Sequence, residues 1–264
     1  MSSSFLVVDS PQIVCVCEPG QALTQVLVRG GWDGGLRQEV SRVLRACVAE
    51  APRVLLLDLS QLQDPAGESV STWLTAVRYA RQSDPQVVLV LGAAPPAVRR
   101  RLSTGDGDPP VVLADTVDAA LAVVPSLDGD GKWQHHMPLQ AQPMASALAR
   151  TMVSDACLAF DVAYLVRPAR LIVSELVTNA VLHTGTDLDV WASARGAALH
   201  LAVQDRSRDF PQLLDVGHRH PAAFPESGMG LRTVTATATA WGALPCRHGK
   251  VVWATLATRA ETAS

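Results

Sequence analysis

Glu175 and Asn179 stand four residues apart in the stretch Pro168-Ala-Arg-Leu-Ile-Val-Ser-Glu-Leu-Val-Thr-Asn-Ala-Val-Leu-His183. Its apolar residues recur at helical spacing. At about 100° per residue, Ile172, Val173, Leu176, Val177, Ala180 and Val181 form one broad apolar arc, with Glu175 and Asn179 together on its margin. Pro168 suits a first helical turn. A carboxylate can take a proton and an amide oxygen can ligate a hard cation, so the pair has chemistry open to it. An ordinary helix with polar residues at its boundary reads equally well from these residues alone.

Three further features follow in order. Leu199-His-Leu-Ala-Val-Gln-Asp205 alternates as a strand and ends on an acid. Arg206 to Ser227 is irregular and rich in proline, histidine and glycine, long for a plain connection. It ends in Gly228-Met-Gly230-Leu231, and the spacing predicts a helix from Arg232 to Trp241. A lone Gly-x-Gly says little, but the ordered set is specific. It resembles the GHKL, or Bergerat-fold, ATP-binding module over about residues 143 to 258. Within that superfamily it is most similar to the actinobacterial anti-sigma regulatory factors of the serine-kinase type. Asn179-Ala-Val-Leu-His183-Thr184-Gly185, Trp241-Gly242 and Gly249-Lys250-Val-Val-Trp253 agree with that pattern.

The resemblance implies roles position by position. Asn179 would bind Mg²⁺ that bridges the phosphates of ATP or ADP. Asp205 would accept a hydrogen bond from the adenine amino group and so select ATP over GTP. Gly228 and Gly230 would let the backbone approach the phosphates, with Leu231 beside them, at a helix N-terminus. Glu175 would be the general base acting on a serine hydroxyl or water. One departure is plain: Asp205-Arg-Ser-Arg-Asp209 stands where the family usually has a further glycine. His135-His136 lies in no helical context, which argues against a histidine kinase.

The first half must be read separately. Asp33 in Gly30-Gly-Trp-Asp-Gly-Gly35 is placed to start a helix, and Val40, Val43, Leu44 and Val48 follow at helical spacing. Val54-Leu-Leu-Leu-Asp58 suits a strand buried on both faces. Helix (Val70 to Arg81), strand (Val87 to Leu91), strand (Val111 to Leu113) and helix (Asp118 to Val124) continue an α/β alternation. This order resembles the STAS domains of anti-anti-sigma factors over about residues 11 to 124. In that family a serine is phosphorylated in the loop after the Asp-Leu-Ser strand. Here the loop reads Asp64-Pro-Ala66-Gly-Glu-Ser69, so Ala66 occupies the acceptor position and lacks a hydroxyl. Ser69 or Ser71 is a displaced acceptor or, for Ser69, a helix cap.

The expected fold class is therefore α/β with two domains. Residues 1–125 form an STAS-like mixed sheet with helices, 126–142 a linker, and 143–264 a Bergerat-fold α/β sandwich. Asp128-Gly-Asp130-Gly lacks the rest of a calcium loop and is read as linker, with His135-His136 solvent-facing.

Composition bounds the remaining classes. With 22 Lys and Arg against 25 Asp and Glu, the net charge of −3 gives no basic stripe for nucleic acid, and Arg99-Arg100-Arg101 is read as a solvated helix end. Val87 to Ala94 is too short to span a bilayer, and Met1 to Asp9 carries no signal-peptide pattern. Cys15, Cys17, Cys47, Cys157 and Cys246 have no metal spacing and are read as reduced and structural, which points to the cytoplasm.

Two functions fit. One is an anti-sigma regulator that holds a sigma factor or phosphorylates a separate anti-anti-sigma STAS protein on serine or threonine, in partner switching that controls transcription. The other is a non-catalytic ATP-binding module held by an intramolecular contact with its own unphosphorylatable STAS-like half. Relatives of the first kind commonly act as homodimers. A stand-alone ATP hydrolase acting on a small molecule lacks any further catalytic cluster to support it.

Overall fold

The computed structural model describes residues 3–7, 10–103, 112–124, 135–211 and 229–258. The chain divides into two compact units. Residues 7–132 and 244–247 make the first, and residues 1–6, 133–243 and 248–264 the second. The expected boundary was simpler. Residues 3–6 form a short strand β1 (Ser3–Leu6) that pairs in parallel with Ala240–Ala243, and Cys246 is in register with Cys17. Both pairings join segments more than 200 residues apart, which no local pattern reports.

In the first unit β2 (Ile13–Glu18) runs antiparallel to β3 (Leu23–Gly31), and β4 (Val54–Gln63), β5 (Val88–Gly92) and β6 (Val112–Ala114) follow in parallel. Their order is β6-β5-β4-β3-β2. Val54 to Leu57 and Leu59 are buried, as a central parallel strand requires. The helices are α1 (Gly34–Glu50), α2 (Val70–Gln82), α3 (Pro96–Ser103) and α4 (Val117–Val123). Asp33 caps α1 by accepting from the Leu36 amide at 2.8 Å, satisfying an amide that the helix start leaves open. Val40, Val43, Leu44 and Cys47 form its buried stripe. The arginine run of α3 is not merely solvated. Arg99 pairs with Asp115 and donates to the Ala114 carbonyl, and Arg101 donates to the Gly67 carbonyl.

The second unit opens inside the expected linker, with β7 (His135–Leu139). Its residues alternate in exposure because β7 is paired antiparallel to β8 (Leu188–Arg195). His136 stacks on Trp191 and bonds Asp189 at 2.8 Å, while His135 is half-buried against Phe160. The other elements are α5 (Ala145–Ala159), α6 (Val166–Thr184), β9 (Ala198–Asp205), α7 (Met229–Thr237), β10 (Ala240–Cys246) and β11 (Gly249–Ala257). The strand order is β10-β11-β9-β8-β7. Leu199, Leu201 and Val203, on one face of β9, share a core with Ala149 and Val153 of α5, Ile172 and Leu176 of α6 and Val234 of α7. Trp241, expected at the end of a helix, is a fully buried residue of β10 in that core. α7 ends at Thr237 instead, and the Trp241 indole donates back to Thr235 at 2.9 Å.

All five cysteines are buried and none forms a disulfide. Burial pushes the Cys157 thiol up to about 11, so it stays protonated and inert at neutral pH. Among the described residues no helix is long and apolar enough to cross a membrane.

Candidate functional site

α6 carries Glu175 and Asn179 on its half-buried margin, because its apolar arc is spent on the core. Beside its C-terminal half lies a cavity of about 410 Å³, within the range of small-molecule sites. Asn179, Asp205 and Leu231 line it, and these residues come from α6, the end of β9 and α7. Leu176, Ala180, Val203 and Val252 give it apolar walls. Asp209, Phe210 and Pro211 line it as well.

Gly230 is placed against α6. A Cβ on it would stand 2.7 Å from Glu175 Oε2 and 3.3 Å from Asn179 Oδ1, so only glycine admits this approach without moving the carboxylate. Glu175 itself is not among the cavity's lining residues. Gly228 lies outside the described residues.

Asp205 is 2% exposed and accepts from two donors through the same oxygen, Oδ1: the Lys250 ammonium at 2.9 Å and the Ser207 amide at 2.8 Å. Burial raises the Asp205 carboxyl above the usual carboxylate range, although Lys250 and the Ser207 amide work against the rise. The departure Asp205-Arg-Ser-Arg-Asp209 is a self-bonded turn, in which the Ser207 hydroxyl also accepts from the Asp209 amide at 3.1 Å. The end of α6 is tied to this turn. Thr184 donates to the Ala180 carbonyl at 2.7 Å, and Thr186 accepts from the Arg206 amide at 3.1 Å.

Lys250 was not singled out from the sequence. Its signal is the single charged residue in a largely apolar strand, Gly249 to Ala257. Gly249 makes its position attainable. It has φ +144°, and a Cβ there would lie 2.0 Å from the Asp205 carbonyl oxygen.

The residues fit a nucleotide in two respects. The apolar slot has a paired acid and base at Asp205 and Lys250, and the Gly230 backbone lies close against the Glu175–Asn179 margin. For a divalent cation the fit is narrower. Among the described residues no group of three or more His, Cys, Asp or Glu is arranged to hold a metal ion, and by the sequence resemblance the protein's own contribution would be the Asn179 amide oxygen. Mg²⁺ that keeps several waters and takes its other ligands from phosphates is compatible with that.

In the first unit, Ala66 is exposed, as is Ser71. Ser69 does not cap α2 with its side chain. Asp64 instead orders the turn before α2, accepting from the Glu68 amide through Oδ1 and the Ser69 amide through Oδ2, both at 2.9 Å. The Ser69 hydroxyl is fully buried and accepts from the Trp73 indole at 2.8 Å.

No protein-family model and no curated protein matches the chain. Among solved structures it is similar to the crystal structure of an anti-sigma factor antagonist from Mycobacterium paratuberculosis, at 23% identity. That match covers 45% of this chain and 99% of the other, with a TM-score of 0.35. A likeness at that score carries no weight for function.

Proposed function

We propose that the chain is an ATP-binding regulator of the anti-sigma class, a serine/threonine-protein kinase acting on a separate anti-anti-sigma STAS protein. The observation that carries this is the convergence of Asn179, Asp205 and Leu231 on one cavity, with Gly230 against Glu175 and Asn179. Asn179 would hold Mg²⁺ through its amide oxygen, and Asp205 would read the base. Gly230, and Gly228 by the sequence resemblance, would bring backbone close to the phosphates. Glu175 would take the proton from an attacking hydroxyl. When bound, ATP would supply the transferable phosphoryl group and Mg²⁺ would offset its negative charge.

A second reading has its own support. Glu175 stands outside the cavity lining, Ala66 has no hydroxyl and Ser69 is buried. These favour a nucleotide-binding interaction module whose STAS-like half is not released by phosphorylation at that loop. A sigma factor or an STAS protein would be the partner in either case.

Calorimetric titration of Mg·ATP into the full chain, beside Asn179→Ala, tests the shared part. Asn179→Ala is the cleaner variant, since Asp205→Ala would also strip Lys250 of its partner. Binding that Asn179→Ala abolishes supports the site, and no wild-type binding sinks it. Phosphotransfer to a serine-bearing STAS protein, lost in Glu175→Ala, separates the kinase from the module.

A further inference from the structure

Charge is placed on α1 where the helix itself has little use for it. Arg37 stands at the end of a first turn that holds no acidic residue, and the last turn holds no basic one. The helix dipole favours the reverse order at both ends. Arg42 and Arg45, three residues apart, also repel one another along the helix. All three arginines are exposed, and among the described residues none of them has an ion-pair partner.

The three arginines line a groove of about 690 Å³ whose other wall is α2. Leu44, Thr72 and Ala76 are its buried floor, and Tyr79, 41% exposed, lies toward the C-terminal end of α2. Among the described residues no acidic one lines it. The Ser41 hydroxyl donates to the Arg37 carbonyl at 2.8 Å, and the Thr75 hydroxyl to the Ser71 carbonyl at 2.7 Å. Those protons are spent on their own helices, which leaves the guanidinium N–H groups as the groove's chief donors.

Spacing decides what such a row can read. Arg37 and Arg45 are eight residues apart, about 12 Å along the helix axis, so a single anion of phosphate size cannot engage both. Glutamates four apart on a helix stand about 6 Å apart along its axis, and three of them cover the same length. Guanidinium and carboxylate match in geometry as well as charge. A long nucleic acid would run beyond the groove onto a chain whose net charge is −3.

We propose that the groove between α1 and α2 docks an acidic helix of a partner protein, whose carboxylates at successive four-residue steps are held by Arg37, Arg42 and Arg45. An apolar side chain of the same helix seats on Leu44 and Ala76, the usual division of labour when a helix lies in a groove. The proposal stands without the nucleotide reading, and neither one's failure touches the other.

The test is fluorescence anisotropy at low salt, where exposed charge pairs are least screened, with the full chain. The probe is a labelled alanine-based helical peptide of about 16 residues with glutamate at every fourth position. It is expected to bind saturably, and its glutamine counterpart at least about tenfold more weakly. Arg37→Glu with Arg45→Glu should lose about 10- to 100-fold. Arg78→Glu with Arg100→Glu makes the same charge change on exposed residues outside the groove lining, and should lose less than about threefold. No saturable binding by the wild type overturns the proposal, as does an equal loss in the two double variants. Tighter binding of single-stranded poly(U) than of the glutamate peptide overturns it in favour of a nucleic-acid groove. Thermal melts check that the double variants are folded. If the first is not, Arg42→Glu alone carries the test, with an expected loss of about fivefold, and an unchanged affinity overturns the proposal.

Discussion

Lys250 and Asp205 are register partners across β9 and β11, and their side chains meet at 2.9 Å with both almost wholly removed from solvent. Forty-five residues of sequence separate them. The pairing holds the end of β9 to the start of β11 where the cavity begins, and this makes the site part of the unit's framework as well as a surface upon it.

Removing one partner of such a pair leaves an uncompensated buried charge. Lys250→Met is expected to lower unfolding free energy by about 3–5 kcal/mol at neutral pH, read from urea denaturation. The double variant Lys250→Met, Asp205→Leu should recover most of that loss. A double variant as unstable as the single one would mean that the lysine stem, and not its charge, is what the fold uses.

Asp64 and Asp205, both buried, should respond to pH in opposite senses. Burial raises the folded-state pKa of Asp205, so its contribution to stability is present below the ordinary carboxylate value and is lost as pH rises through the raised one. Burial also works on Asp64, but the Ser69 hydroxyl and the amides of Ser69, Glu68 and Gly67 outweigh it and lower its pKa. Its contribution is present above the ordinary value and is lost as pH falls through the lowered one. Asp64→Asn should therefore flatten the loss of stability below the ordinary carboxylate value of about 3.9, and Asp205→Asn the loss above it. Identical profiles for the two variants would refute this assignment.

Gly230 and Glu175 should be coupled. Gly230→Ala places a methyl 2.7 Å from Glu175 Oε2 and must push the carboxylate aside. Mg·ATP binding is expected to weaken about tenfold, by displacement of the nearby Asn179 and of the α7 backbone. In a Glu175→Ala background the same substitution should cost less, giving a coupling of about 1 kcal/mol in a double-mutant cycle. Additive losses would show that the methyl acts elsewhere.

Local signals reported what local physics decides. Asp33 as a cap, the buried run from Val54 to Leu57, and the joint placement of Glu175 and Asn179 were all legible, because each follows from periodicity or from an open helix amide. What escaped depends on partners distant in sequence. β7 reads as a linker until β8 supplies its hydrogen bonds. α5 is poorly marked because its buried stripe leans on small residues, Ala145, Ala149 and Ala156. Trp241 continues a helical pattern in sequence, yet it is drawn into β10 by the core. Lys250 is unremarkable until Asp205 stands opposite it.

Ser69 and Ser71 separate a structural hydroxyl from an available one. Ser69→Ala leaves the buried Trp73 indole without the acceptor it now has at 2.8 Å, and should cost about 1–3 kcal/mol of stability. Ser71, in the first turn of α2 and exposed, should be replaceable by alanine within about 0.5 kcal/mol. If a serine/threonine kinase modifies this region, phosphopeptide mass spectrometry should find the phosphate on Ser71 and not on Ser69. A phosphate near the start of α2 would be favoured by the helix dipole, whereas one on Ser69 would have to displace the indole from a buried site. Stoichiometric phosphate on Ser69 in the folded chain would show that the segment from Asp64 to Trp73 opens readily, against the bonding described for it.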